Sequence, residues 1–232
     1  MRKQLFLFRT DETYLKEVSH YKKADGVLAL TVFVILMAVY YLAGQLRDLP
    51  FDAGIPVNLF FIALCVMLAL LRRQGIGSLG LKRKNAGKSF FLGLVPGLLI
   101  LLFYILQGLV NRRVFAPAGT ISGNFFYYLI VIAFMEELVF RGYIQSRMFG
   151  LIKNNALSTA VTGVMFVLMH FPYQLGARDM DLITFISDNV FWFGLLFLYH
   201  LLFTWLFRKH NLIIAPVIVH TMMNWGSYLF IA

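Results

Sequence analysis

The feature that most constrains this chain is a series of seven long apolar runs joined by short polar links. They lie near 26–46, 55–71, 89–110, 124–144, 156–171, 185–207 and 211–231. A bilayer core about 30 Å thick selects helical runs of roughly 20 apolar residues, because a helix satisfies its own backbone polar groups. Hydrophobic residues fill 60% of the 232 positions and charged ones only 14%, against about 45–50% and about 25% in soluble domains. The expected fold is an all-α polytopic membrane helical bundle of about seven transmembrane helices. Short links make it a single membrane domain over 1–232, with a polar segment at 1–23. No repeat, low-complexity stretch or soluble module interrupts it.

The net charge of +10 could suggest nucleic acid, but the charges lie between apolar runs and no nucleic-acid module accompanies them. The lipid bilayer is the expected partner. Seventeen of the 21 Lys and Arg residues fall on one side of the seven-span scheme. Arg47, Arg112, Arg113 and Arg178 fall on the other. That bias predicts a multi-pass cell-membrane protein with its N-terminus in the cytoplasm and its C-terminus outside. Residues 1–23 lack a cleavable signal pattern, and neither end carries a lipidation motif. The one cysteine, Cys65, sits in an apolar run and is expected to be packing. Gly93 and Gly97, around Pro96, form a small-residue pair that lets two helices approach closely.

Ionisable groups in a membrane interior cost about 2.5–3.5 kcal/mol on insertion scales. The fourth run breaks the rule of avoiding them, with Glu136, Glu137 and Arg141 in apolar surroundings. Residues four apart on a helix share a face, so Glu137 and Arg141 can pair, acid before base. Glu136 is turned about 100° from Glu137 and about 140° from Arg141. It is left without a partner on its own helix, which suits a general base or acid.

Three further polar groups stand in apolar runs. His170 ends the fifth, where a bond to a backbone carbonyl would explain it as well as chemistry would. His220 and Asn224 lie four apart on one face of the seventh, where helix–helix bonding is the alternative role. His200, in the sixth run, is read as packing or a helix–helix bond, with no polar partner taken from position 204. Asp188 and Asn189, near the outer end of that run, are read as capping it, with lining a cavity as the alternative.

One free carboxylate, two imidazoles and one amide from three helices make a kit for hydrolysis. Glu136 can take a proton from water and His170 can orient that water. His220 and Asn224 can donate to the oxyanion formed on a scissile carbonyl. Two His and one Glu are also the ligands of several catalytic zinc sites, here Glu136, His170 and His220. Because the spacing is not H-E-x-x-H, the residues leave the metal open.

The motifs resemble those of the CAAX-processing and bacteriocin-processing membrane proteases, the CPBP or Abi family. That family carries E-E-x-x-x-R, F-x-x-x-H and H-x-x-x-N in order. Here they read Glu136-Glu137-Leu-Val-Phe-Arg141, Phe166-Val-Leu-Met-His170 and His220-Thr-Met-Met-Asn224. The resemblance covers about 124–228, the expected catalytic core helices.

It implies an intramembrane endopeptidase acting on a membrane-associated peptide or protein. Glu136 would be the base, with His170, His220 and Asn224 as its catalytic partners. Glu137 with Arg141 would be the structural or substrate-positioning pair, and Phe166 would pack beside His170. The family is described both as a metalloprotease and as a metal-free, glutamate-based protease; the metal-free form, with no cofactor, is preferred here over zinc. The compact size resembles the bacterial branch, which is associated with peptide maturation and self-immunity, so a prenylated substrate is not assumed. The alternative is a non-catalytic immunity or regulatory partner that uses the same polar groups to fix helix packing. A transporter would need a polar pathway or repeat symmetry, and neither is visible.

The run boundaries raise one conflict. At about 1.5 Å per residue, Glu136 and His220 sit about 12–14 Å from the inner ends of their runs and His170 about 22 Å. A common site requires the fifth helix to begin below the membrane or its boundary to lie elsewhere.

Overall fold

The computed structural model describes residues 10–48, 52–178 and 181–231. Arg2, Lys3 and Arg9 of the basic N-terminal segment lie outside the described residues. The chain folds into helices α1 (Glu12–Ser19), α2 (Lys23–Gln45), α3 (Gly54–Leu71), α4 (Ala86–Val110), α5 (Ala118–Met148), α6 (Asn155–Ala177), α7 (Leu182–His210) and α8 (Ile214–Gly226). Among the described residues there is no strand, only an isolated bridge between Phe115 and Phe230. Helices α2 to α7 are long and apolar enough to cross a membrane. The chain is a multi-pass, all-α membrane protein.

Three boundaries differ from the apolar runs, each for a physical reason. Helix α5 extends to Met148, and its last turns are buried in protein rather than facing lipid. Hydropathy fades there because Arg147 is needed inside. Its guanidinium, 1% exposed, donates to the Gln74 side chain at 2.7 Å, the Ser78 hydroxyl at 2.8 Å and the Gly142 carbonyl at 2.9 Å. Arg141 and Arg147, both among the seventeen charges assigned to one side, are therefore internal.

Helix α6 continues past His170 to Ala177, with a break at Met169. Pro172 explains the break, since it has no N–H to offer the Leu168 carbonyl four residues back. Helix α8 is shorter than its run, at 13 residues. At about 1.5 Å per residue it rises only about 20 Å, less than the hydrocarbon layer.

A short helix starting at membrane depth must have its first amides satisfied. The Ile213 amide donates to the Gly80 carbonyl at 3.3 Å, and the Ala215 amide to the Ser89 hydroxyl of α4 at 3.2 Å. Pro216, in the first turn, needs no acceptor. Asn211 adopts φ 53°, the left-handed conformation asparagine tolerates, and turns the chain from α7 into α8. Helix α8 then runs against α4. A Cβ on Gly93 would stand 2.6 Å from the Ala215 carbonyl, and one on Gly97 would stand 3.1 Å from Met222. The small-residue pair thus seats the helix that carries His220.

At the basic end, α1 docks against the bundle. Tyr14 lies edge-on to Phe149 and Phe207, and Glu17 pairs with Lys82 at 2.6 Å. At the opposite end, α2 and α6 touch through glycine. A Cβ on Gly44 would meet the Tyr173 carbonyl, and one on Gly176 the Tyr41 carbonyl, both at 2.3 Å. These two contacts hold the outer half of α6, and with it His170, against α2.

Candidate active site

Helix α5 presents the acids from an unusual backbone. Tyr127–Phe134 and Leu138–Gln145 are π-wound, flanking Met135–Glu137. Wider winding is rare and concentrates at functional sites. It also leaves carbonyls to be satisfied from outside, and Asn58 of α3 does this for Val131 at 3.0 Å. The Tyr40 hydroxyl of α2 donates in turn to the Asn58 carbonyl oxygen at 2.8 Å.

Glu137 and Arg141 pair as their spacing predicts, with Nη1 3.2 Å from Oε1 and both side chains 0% exposed. The approach is close but not aligned as a hydrogen bond. The guanidinium carbon also lies 4.3 Å from the centre of the Phe166 ring and 5.2 Å from that of Phe203. Two π faces thus share its charge.

Glu137 has a second partner that the sequence did not disclose. Its Oε1 lies 2.9 Å from Nδ1 of His220. An ionised carboxylate only accepts, so Nδ1 carries the proton. The ring is stacked on Phe203 at 4.8 Å and 17°, and its Nε2 faces Glu136 at 3.8 Å. That last distance is too long for a hydrogen bond. His170 is held similarly, with Nδ1 2.9 Å from the Phe166 carbonyl. A carbonyl accepts only, so Nδ1 again carries the proton and Nε2 is left open. The backbone bond considered for His170 in the sequence is real, and it aims the ring.

Glu136 is 8% exposed, and its Oε2 has no hydrogen-bond partner. It forms part of the wall of two cavities. One, of about 400 Å³, lies between α2, α3, α5 and α6 and includes Tyr40, Asp52, Asn58, Tyr127 and His170. The other, of about 70 Å³, is enclosed by α5, α6, α7 and α8 and includes Phe166, His170, His220 and Asn224. All four residues of the hydrolytic set therefore border one small space.

The depth conflict dissolves in the same geometry. Gly142 packs on the Leu79 backbone, while Ile213 bonds to Gly80, so both mark one level. Glu136 stands six residues outward of the first and His220 seven outward of the second. His170 stands one turn outward of Phe166, which packs on Phe140 at 5.2 Å.

Both imidazoles present Nε2 with Nδ1 anchored, an orientation that serves a water molecule or a metal. Among the described residues, however, no three His, Cys, Asp or Glu side chains are grouped as metal ligands. Glu136, His170 and His220 border one cavity, with Nε2 of His220 3.8 Å from Oε2 of Glu136. His200 is packing, as read, but position 204 does supply a partner: the Thr204 hydroxyl lies 3.3 Å from Nε2.

The sequence reading assigned no site residue to α2 and α3. With the link between them, they supply Tyr40, Asp52 and Asn58 to the larger cavity. A lone asparagine in an otherwise apolar third helix was the available signal.

The fold and site define a polytopic helical membrane protein with a buried acid–imidazole centre inside the bundle. Residues 117–226 match the family model of type II CAAX prenyl endopeptidase Rce1-like proteins. This segment takes in α5 to α8, just under half of the chain, and is similar to the CAAX-type intramembrane endopeptidases that the motifs resemble. No curated protein and no solved structure matches the chain.

Proposed function

We propose that this protein hydrolyses a peptide bond of a membrane-associated peptide or protein by a glutamate-activated water, without a bound metal. The observation that carries the reading is Glu136: a buried carboxylate with one free oxygen, bordering a small cavity beside both histidines. Glu136 takes a proton from water while Nε2 of His170 accepts the water's other hydrogen. The hydroxide adds to the scissile carbonyl. The oxyanion is held by the Asn224 amide and by Nε2 of His220. Because Nδ1 of His220 already carries a proton toward Glu137, Nε2 donates when the ring holds both protons. Collapse of the tetrahedral species breaks the C–N bond, and Glu136 returns its proton to the leaving amine.

The basic end, by the charge bias, faces the cytoplasm, so the larger cavity opens toward the other side. Bacterial-type peptide maturation fits this placement.

The test is cleavage of a membrane-associated peptide by purified protein in liposomes. His170→Ala is expected to lower turnover about 10²-fold or more while protein level is retained. A strong chelator is expected to leave the native rate unchanged. Full turnover by the variant defeats the assignment. Chelator inhibition reversed by zinc defeats the metal-free form. Loss of protein level without separable activity favours a non-catalytic immunity or regulatory role.

A further inference from the structure

The larger cavity has a one-signed lining. Among the described residues its lining carries two carboxylates, Asp52 and Glu136, and no ammonium or guanidinium. Arg47 and Arg178 end the neighbouring helices but are not part of its wall, and Arg47 lies 3.6 Å from Asp48. Asp52 is fixed in place. Its Oδ1 accepts from the Gly54 amide at 2.8 Å, and its Oδ2 accepts from the Tyr127 hydroxyl at 2.9 Å. Glu136, 8% exposed, also borders this space. The remaining polar lining, including Tyr40, Asn58 and Gln174, is neutral. At about 400 Å³ the space falls within the range of ligand-sized pockets.

We propose that this cavity is the subsite for a substrate segment bearing a cationic side chain, lysine or arginine, and that it rejects a segment ending in a free carboxylate. The inference rests on the peptidase reading and names its substrate class. An ammonium at the mouth meets Asp52 as a counter-charge in a cleft partly screened from water. A carboxylate in the same place meets two like charges with no cation in the wall, an arrangement that costs affinity steeply. A CAAX-like tail cleaved close to its own C-terminus would place its carboxylate there.

The test uses the full chain with His170→Ala, which keeps both carboxylates while bound peptide is consumed at least about 10²-fold more slowly. Binding is read by fluorescence anisotropy with matched apolar peptides that differ at one position, Lys, norleucine or Glu, each with an amidated or a free C-terminus. The Lys amide is expected to bind at least about tenfold tighter than the Glu or free-carboxylate forms. Asp52→Asn should shrink that ratio several-fold, and Asp52→Lys should invert it. Equal affinity across the series, preference for the carboxylate forms, no measurable binding, or a ratio indifferent to Asp52 overturns the proposal. Cleavage of the same peptides by the native chain is scored separately. Charge-selective binding with no cleavage defeats the peptidase reading alone, and cleavage without charge preference defeats the subsite alone.

Discussion

Glu136→Gln abolishes peptide hydrolysis and leaves a folded protein: that is the first expected result. The loss should be about 10²–10⁴-fold in kcat, the usual contribution of a positioned general base. The substitution is nearly isosteric. Glu136 makes no ion pair within hydrogen-bond distance, since His220 stands 3.8 Å away. Its neutral form therefore orphans no buried charge, and its amide can still border both cavities. Unfolding midpoint and yield should match the native protein while turnover disappears. A variant that keeps native turnover contradicts the assignment of the base. A variant that loses both yield and turnover shows that Glu136 is structural.

The neighbouring acid should behave in the opposite way. Glu137→Gln removes the counter-charge of a fully buried guanidinium and the acceptor of the His220 Nδ1–H together. Breaking one partner of a buried pair typically costs about 3–5 kcal/mol, because the surviving charge is left without compensation. The Phe166 and Phe203 faces beside Arg141 recover only part of this. The expected result is a large drop in the denaturation midpoint in detergent, with low accumulation in membranes. Replacing Glu137 and Arg141 together by apolar residues should cost less stability than Glu137→Gln alone, yet remain inactive, because His220 is no longer oriented. A Glu137→Gln protein with native stability contradicts the buried-pair account.

The different surroundings of two adjacent glutamates were legible because helical rotation alone separates them: one faces Arg141 and one does not. The face shared by His220 and Asn224, and the glycine contact under α8, were legible for the same reason. What stayed hidden depends on contacts between helices distant in sequence. The bond from Glu137 to His220 spans 83 residues, and no periodicity encodes it. Asn58 was hidden because its partner is the Val131 carbonyl, and backbone winding cannot be read from side-chain pattern. The outer boundary of α6 was misplaced because Pro172 looked like an end. It interrupts a helix that Gly176 then packs tightly against α2. The inner boundary of α5 was misplaced because buried Arg147 reads as a loop charge.

The account depends on Glu136 lying in water-accessible space within the membrane bundle, at the place where substrate binds. Reaction of Glu136→Cys with a small, charged thiol reagent measures this directly, with native Cys65 of α3, fully buried in the core, as the internal standard. The account predicts that the introduced thiol is modified quickly and Cys65 is not, and that a lysine-bearing peptide slows the modification. Modification no faster than that of Cys65, or indifferent to peptide, would contradict it.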